Sequence, residues 1–320
     1  MKRGLVIGKF MPLHTGHVAL IRFAAAHCDE LILIVASDPG DPIPGDLRLA
    51  WIKEEFKRYL RIKPVQVEDP VYSIAMEMQL EQWAQVIERQ CPPLDFIFSS
   101  EPLGQSLARH LQAAHIPFDS ERSEHPVSST EIRAHPFRFW EFIANPARGH
   151  FVKRICFIGP ESTGKSTLAK RMAERYQTEF VPEVAREMIS SNQFTVEDII
   201  AIAKAQTARV LEKTETANRL LFCDTDLITT EIYSDVYLKE IPEELFRLEK
   251  AIKYDWYFLF DVDVPWVADG LRDLGGKRGE MFVRFKRELE TRGISYTLLA
   301  GSFEDRERYV VQFVEKLLAS

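Results

Sequence analysis

Apolar residues fall along this chain in short runs separated by amphipathic stretches, the alternation expected of parallel sheets covered by helices. Gly4-Leu5-Val6-Ile7-Gly8 and Leu31-Ile32-Leu33-Ile34-Val35-Ala36 read as buried strands. Val18, Leu20, Ile21 and Phe23 to Ala26 lie between them with the spacing of a helix packed on a sheet. That is a strand, helix, strand unit with a right-handed crossover, whose first loop lies at the carboxyl edge of the sheet, where ligands bind. Phe96-Ile97-Phe98 is a further strand ending in polar Ser99-Ser100-Glu101, and Ile155 to Ile158, Leu220 to Cys223 and Tyr257 to Phe260 repeat the signal later. Arg306 to Leu318 closes the chain with helical periodicity. Between the halves, Phe137, Phe139, Trp140, Phe142 and Ile143 precede the helix-breaking Asn145-Pro146-Ala147-Arg148-Gly149. The pattern predicts two α/β domains, 1–148 and 149–320, with an aromatic cluster large enough to dock one on the other.

Composition narrows the class. A length of 320 residues suits two domains, and 46% hydrophobic with 28% charged residues excludes disorder. No apolar run approaches the ~20 residues a membrane span needs. Lys9, His14 and His17 interrupt any signal-peptide core, so a cytoplasmic location is expected. Four scattered cysteines without a C-x-x-C pair indicate neither zinc nor a disulfide framework. A net charge of −7 gives no general attraction to nucleic acid, so no DNA partner and no membrane partner are expected, while a homo-oligomer stays open.

Gly159-Pro160-Glu161-Ser162-Thr163-Gly164-Lys165-Ser166 fits G-x-x-x-x-G-K-[ST], follows an apolar run and, with Thr167, opens a helical stretch. Backbone N–H groups of such a loop close around phosphates, Lys165 reaches the outer ones, and the Ser166 hydroxyl can hold Mg²⁺. Leu220 to Asp226 reads as a strand ending in carboxylates, an acid there being able to hold Mg²⁺ through water or accept a proton; Asp224 reads also as an ordinary turn acid and Asp226 as a helix N-cap. Gly275, Gly276 and Gly279, set among Arg272, Lys277 and Arg278, have the composition of a mobile basic lid or of a solvated loop.

In the first half, Gly8-Lys9-Phe10-Met11-Pro12-Leu13-His14-Thr15-Gly16-His17 places two imidazoles on one helical turn after a strand. Ser128-Ser129-Thr130-Glu131-Ile132-Arg133 offers hydroxyl donors at a helix start and a forked cation one turn on, or an N-cap with a surface arginine. Trp83 is a candidate for stacking on an acceptor ring or for core packing. Arg48 is a candidate phosphate contact or a surface charge.

These motifs resemble the nucleotidylyltransferase superfamily: Gly8, Phe10, Pro12, His14, Gly16 and His17 match its G-x-F-x-P-x-H-x-G-H pattern, and Ser128 to Arg133 its S-[ST]-T-x-I-R pattern. Followed by a kinase-like half with Glu183-Val184-Ala185-Arg186-Glu187, Asp224-Thr225-Asp226 and Trp266 to Arg272, the order is similar to the bifunctional nicotinamide-nucleotide adenylyltransferase and ribosylnicotinamide kinase family of NadR type. The resemblance implies a Rossmann-like nucleotidylyltransferase domain and a P-loop kinase domain. It implies ATP, nicotinamide riboside (NR), its mononucleotide (NMN) and NAD as ligands, with Mg²⁺ as cofactor. His14, His17, Lys9 and Arg133 are then the adenylyl-transfer groups, with Gly8, Phe10, Ser128, Ser129 and Thr130 around ATP. Gly159, Glu161 to Thr167, Arg272 and Arg278 would bind the kinase ATP, and Ser166 and Asp224 the metal. Trp83, Glu183, Arg186, Asp226, Trp266 and Tyr296 would meet the nicotinamide compounds. With the first strand beginning by residue 4, no helix-turn-helix repressor domain is expected. A coenzyme A synthase order, a non-catalytic nucleotide sensor, or one degenerate domain are alternatives the motifs leave open.

Overall fold

A computed structural model of the protein describes residues 1–68, 80–121, 123–191, 193–267 and 273–319. The chain divides into two compact units, Met1–His150 and Phe151–Ser320. In the first, strands β1 (Arg3–Gly8), β2 (Glu30–Ser37), β3 (Ile62–Glu68), β4 (Phe96–Ser99) and β5 (Ala114–Pro117) alternate with helices α1 (Thr15–Ala26), α2 (Gly45–Glu55), α3 (Leu80–Gln90) and α4 (Leu103–His110). Two short helices follow, α5 (Ser129–Ala134) and α6 (Asn145–Arg148). The sheet is parallel in the order β3-β2-β1-β4-β5. After β3 the chain crosses to the other side of β1 to form β4, so the loop after β1 opens at the switch point.

The second unit begins with β6 (Lys153–Ile158), α7 (Lys165–Arg175), β7 (Glu179–Val181), α8 (Ala185–Met188), α9 (Val196–Thr216) and β8 (Leu220–Asp224). It continues with α10 (Leu227–Leu238), α11 (Glu243–Glu249), β9 (Trp256–Phe260), α12 (Arg278–Thr291), β10 (Tyr296–Leu299) and α13 (Phe303–Ala319). Its sheet, also parallel, runs β10-β9-β6-β8-β7. Successive β6 side chains serve opposite faces. Ile155 and Phe157 join Leu168 and Met172 of α7 and Val310 and Val314 of α13, whereas Cys156 and Ile158 join Ile228, Ile232, Phe285 and Leu289. Burial on both faces is why the strand is an uninterrupted apolar run rather than an alternating one.

The aromatic stretch before the junction packs into the first unit: Trp140 is buried, Ile143 forms an antiparallel bridge with His14, and the Ala144 N–H donates to the Leu13 carbonyl at 3.1 Å. Among the described residues no helix is long and apolar enough to cross a membrane.

Phe157 is fully buried, with the rings of Phe222, Phe258 and Phe260 at 6.1, 5.7 and 5.4 Å. Phe157→Ala should lower the unfolding free energy of the second unit by ~3–5 kcal/mol, read from denaturant unfolding, because a cavity opens among rings that cannot close it.

Candidate functional sites

The first site is built on the loop between β1 and α1. Backbone at Phe10 takes a left-handed conformation (φ 50°), and its ring is buried edge-on to His17 at 5.0 Å. His14 stands at the N-cap of α1 with its ring stacked on that of His17, centroids 3.6 Å apart. Gly16 fits where a Cβ would lie 3.2 Å from the His14 ring and 3.1 Å from His125. Lys9 reaches Asp41 at 3.0 Å, and fully buried Arg48 bonds the same carboxylate at 2.7 Å and the Ala36 carbonyl at 2.9 Å, while its Nη1 also donates to the Lys9 carbonyl. Burial raises the Asp41 pKa, but the bonds from Lys9 and the Asp38 N–H, with the Arg48 charge, outweigh it and hold the carboxyl below its usual range. Arg48 is therefore a loop-holding residue, not an exposed charge.

The two sequence motifs meet here across more than a hundred residues. Arg133 donates to the Met11 carbonyl and, at 3.3 Å, to Thr130 Oγ1, while the Ser129 hydroxyl donates to the Pro12 carbonyl at 3.3 Å. Ser128 and Glu131 form a reciprocal capping box at the start of α5, so the cap reading of that stretch holds. Gly8, Lys9, Phe10, His14, His17, Ser128, Ser129 and Thr130 all line one cavity of about 360 Å³, joined by His125, Glu101 and Asp119. His125 lines this cavity and was left aside in sequence reasoning, since a lone histidine in a polar loop carries no spacing signal. Trp83 is elsewhere: it is buried in the core between α3 and the sheet with Leu5, Ile32 and Ile97, and packing is its role.

In the second unit, Gly159 (φ 139°) and Gly164 (φ 90°) adopt backbone that side chains rarely tolerate, and a Cβ on Gly159 would meet the Phe260 carbonyl at 2.9 Å. Lys165 is buried, its Nζ donating to the Pro160 carbonyl at 2.7 Å, and Thr163 Oγ1 donates to the same oxygen at 2.9 Å. Asp224, at the end of β8, is buried and bonded to the Ser166 hydroxyl, and its Oδ1 has no hydrogen-bond partner. Ser166, Thr167, Glu183, Arg186 and Asp224 border an open cavity of about 590 Å³. Beside it, Glu183 and Arg186 also line a smaller cavity of about 80 Å³ with Glu161, Phe194, Thr225, Tyr233 and Tyr237. Ser162 Oγ accepts from the Val267 N–H at 2.8 Å, which brings Trp266 beside the loop. Arg278 bonds the Val264 carbonyl at 2.9 Å and the Ser162 carbonyl at 3.4 Å. Arg272 lies outside the described residues.

Residues 5–135 match the cytidylyltransferase-like family, and residues 154–306 match the AAA domain family. The trifunctional NAD biosynthesis/regulator protein NadR of Salmonella typhimurium is 31% identical over 303 residues, covering 85% of this chain and 72% of that protein. The chain belongs to the NadR family. A nicotinamide-nucleotide adenylyltransferase of Aeropyrum pernix is 29% identical over 167 residues, covering 48% of this chain and 92% of that protein. A crystal structure of a NadR protein in complex with NR shares the fold with a TM-score of 0.82 at 23% identity, covering 100% of this chain and 97% of that one.

Within this NadR-family framework three expectations change. Asp226 caps α10 through the Thr229 N–H and accepts from the Tyr257 hydroxyl at 3.0 Å, so its carboxylate is engaged inside the fold. Tyr296 starts β10, at the end of the sheet opposite the phosphate loop, with its hydroxyl on Glu290. Glu161 lines the smaller cavity with Glu183 and Arg186, and its charge there would repel a phosphate. Tyr233 and Tyr237, which sequence reasoning missed, were visible only as an i, i+4 pair; as their ring stacking at 6.3 Å shows, they share one face of α10.

Burial, with the Glu183 carboxylate behind it, pushes Asp224 up to about 6 against Lys165 and Ser166, and burial likewise raises Asp226 to about 6. Both lie above the unfolded value of about 3.9. The folded state therefore holds the extra protons, and this contribution to stability is full below about pH 4 and lost as pH rises through about 6. Asp224→Asn should raise the melting temperature of the second unit at pH 8 by about 3 °C or more and by about half as much at pH 5, as read by calorimetry.

Proposed function

We propose that the second unit transfers the γ-phosphoryl group of ATP to the 5′-hydroxyl of NR, and that the first joins the resulting NMN to the AMP moiety of a second ATP, giving NAD and pyrophosphate. The observation that carries this reading is the pair of strand-to-helix phosphate sites in one NadR-family chain, one with stacked histidines and one with a lysine loop facing a buried carboxylate. Family membership favours it over the coenzyme A order, whose two ATP motifs would look the same.

In the kinase step the acceptor oxygen attacks the γ-phosphorus, the bond from that phosphorus to the β,γ-bridging oxygen breaks, and ADP leaves. The donor set suits Mg²⁺: a hydroxyl and a carboxylate are hard oxygen ligands, and an orphaned buried carboxylate oxygen asks for a positive partner. Ser166 would hold the ion directly and Asp224 through water, and the ion would neutralise charge on the phosphates. Asp224 Oδ1 is then placed to take the hydroxyl proton, provided it is ionised. Lys165, released from the Pro160 carbonyl, moves onto the outer phosphates. Phe194, Tyr233 and Tyr237 supply aromatic surface for the nicotinamide ring, Glu183 and Arg186 polar contacts for the ribose, and Arg272 cationic charge above the phosphates, while Arg278 acts from behind the loop through the Ser162 carbonyl. Trp266 closes the loop side.

In the adenylyl-transfer step an NMN phosphate oxygen attacks the α-phosphorus and pyrophosphate departs, with no covalent enzyme intermediate. His14, His17 and Lys9 stabilise the charge on the phosphates beside the N-terminus of α1, and Ser128 to Thr130 frame the nucleotide. Arg133, tied to the Met11 carbonyl, supports the histidine loop.

Incubation with NR, ATP and Mg²⁺ should yield NMN and then NAD, followed by mass. His17→Ala should abolish NAD formation from NMN and spare NMN formation, and Lys165→Ala the converse, each by at least about a hundredfold. Loss of both activities in either variant would refute separate sites, and absence of any turnover would favour a nucleotide sensor.

A further inference from the structure

Arg306 stands in α13, far along the chain from the phosphate loop, and is 1% exposed. Its Nη1 donates to the Thr163 carbonyl at 2.8 Å. Nη2 donates to the Asp261 carbonyl at 3.2 Å and to the Asp263 carboxylate. The other oxygen of Asp263 accepts from the Gly301 N–H. The guanidinium also lies over the Phe260 ring at 5.5 Å. A single buried cation thus ties the loop after β6 to the segments that follow β9 and β10. Burying a guanidinium is costly unless its position performs something, and a surface helix has no need of it.

We propose that Arg306 is a positioning residue for ATP: it holds the Thr163 carbonyl outward and so turns the Gly164 N–H into the phosphate cradle. A trans peptide carries its C=O and N–H on opposite edges, so fixing one fixes the other. Gly164 has the left-handed backbone (φ 90°) that allows this orientation without a Cβ penalty. Arg278 does the same one peptide earlier, through the Ser162 carbonyl. Arg306 touches no reacting atom in this scheme; its cationic charge behind the loop and its hold on one carbonyl pre-form a donor that ATP would otherwise have to order on binding.

This inference rests on the kinase reading of the second unit, and the test separates the two. Arg306→Met and Arg306→Lys are compared with wild type for the KM of ATP and of NR in NMN formation, with the KM of ATP in NAD formation from NMN as a reference within the same molecule. Arg306→Met should raise the kinase KM for ATP by about ten- to a hundredfold and leave that for NR within about twofold; Arg306→Lys, which keeps the charge and one contact, should fall between. Amide hydrogen exchange over residues 159–166 with and without Mg-ATP is the second readout, independent of any acceptor, and the methionine variant should lose the protection that ATP confers. An unchanged KM for ATP would overturn the proposal, as would equal losses toward ATP and NR together with earlier melting, which is the signature of a merely structural arginine. If wild type phosphorylates no NR yet Mg-ATP protects the loop and Arg306→Met cancels that protection, the acceptor assignment falls and the positioning role stands.

Discussion

A loop that binds phosphate through backbone N–H groups has to turn its carbonyls away, and both units of this protein meet that constraint with side-chain donors from elsewhere in the chain. In the first unit Arg48 takes the Lys9 carbonyl, Arg133 that of Met11 and Ser129 that of Pro12. In the second, Arg278 takes Ser162, Arg306 takes Thr163, and the loop's own Lys165 and Thr163 share Pro160. Most of these donors are charged, and charge-assisted bonds of this kind are the stronger sort. Around them the sheets act as platforms: a parallel strand delivers each loop to the carboxyl edge, and a helix begins where the phosphate would sit.

The same economy explains the electrostatics of the second unit. Asp224 and Lys165 are buried together, and burial pulls both toward neutrality, the carboxyl upward and the ammonium downward from its usual range, with each charge partly restoring the other. Water would relieve that cost and weaken every interaction with a bound phosphate. The unit accepts lower stability at neutral pH in return for groups already dehydrated and aimed. A comparable cluster lies elsewhere in the unit: Arg292 pairs with Glu231, Glu249 and Glu288, and burial with the neighbouring Glu249 pushes Glu231 up to about 8.

How much of this was legible beforehand depended on how local each signal is. The central strands could be read from their apolar runs, because burial on both faces forces a continuous pattern, whereas the half-exposed edge strands β3, β5 and β10 gave no such run; the phosphate loop and histidine pair could be read because their chemistry needs fixed spacing within one turn. Residues whose role comes from a long-range meeting were misplaced or passed over. Trp83 and Tyr296 have the chemistry of a ring-binding residue and lie in the core and at the far edge of the sheet, respectively. His125 and Arg306 gave no spacing signal of their own, and each lies against a loop distant in sequence.

What the sequence by itself determined is the central strands and the two loops, since hydrophobic period, glycine placement and motif spacing act over a few residues. Tertiary structure alone decided which cations face those loops and from which side. The Thr163 carbonyl and Arg306 are 143 residues apart, and only the packing of α13 on the sheet brings them within hydrogen-bond reach.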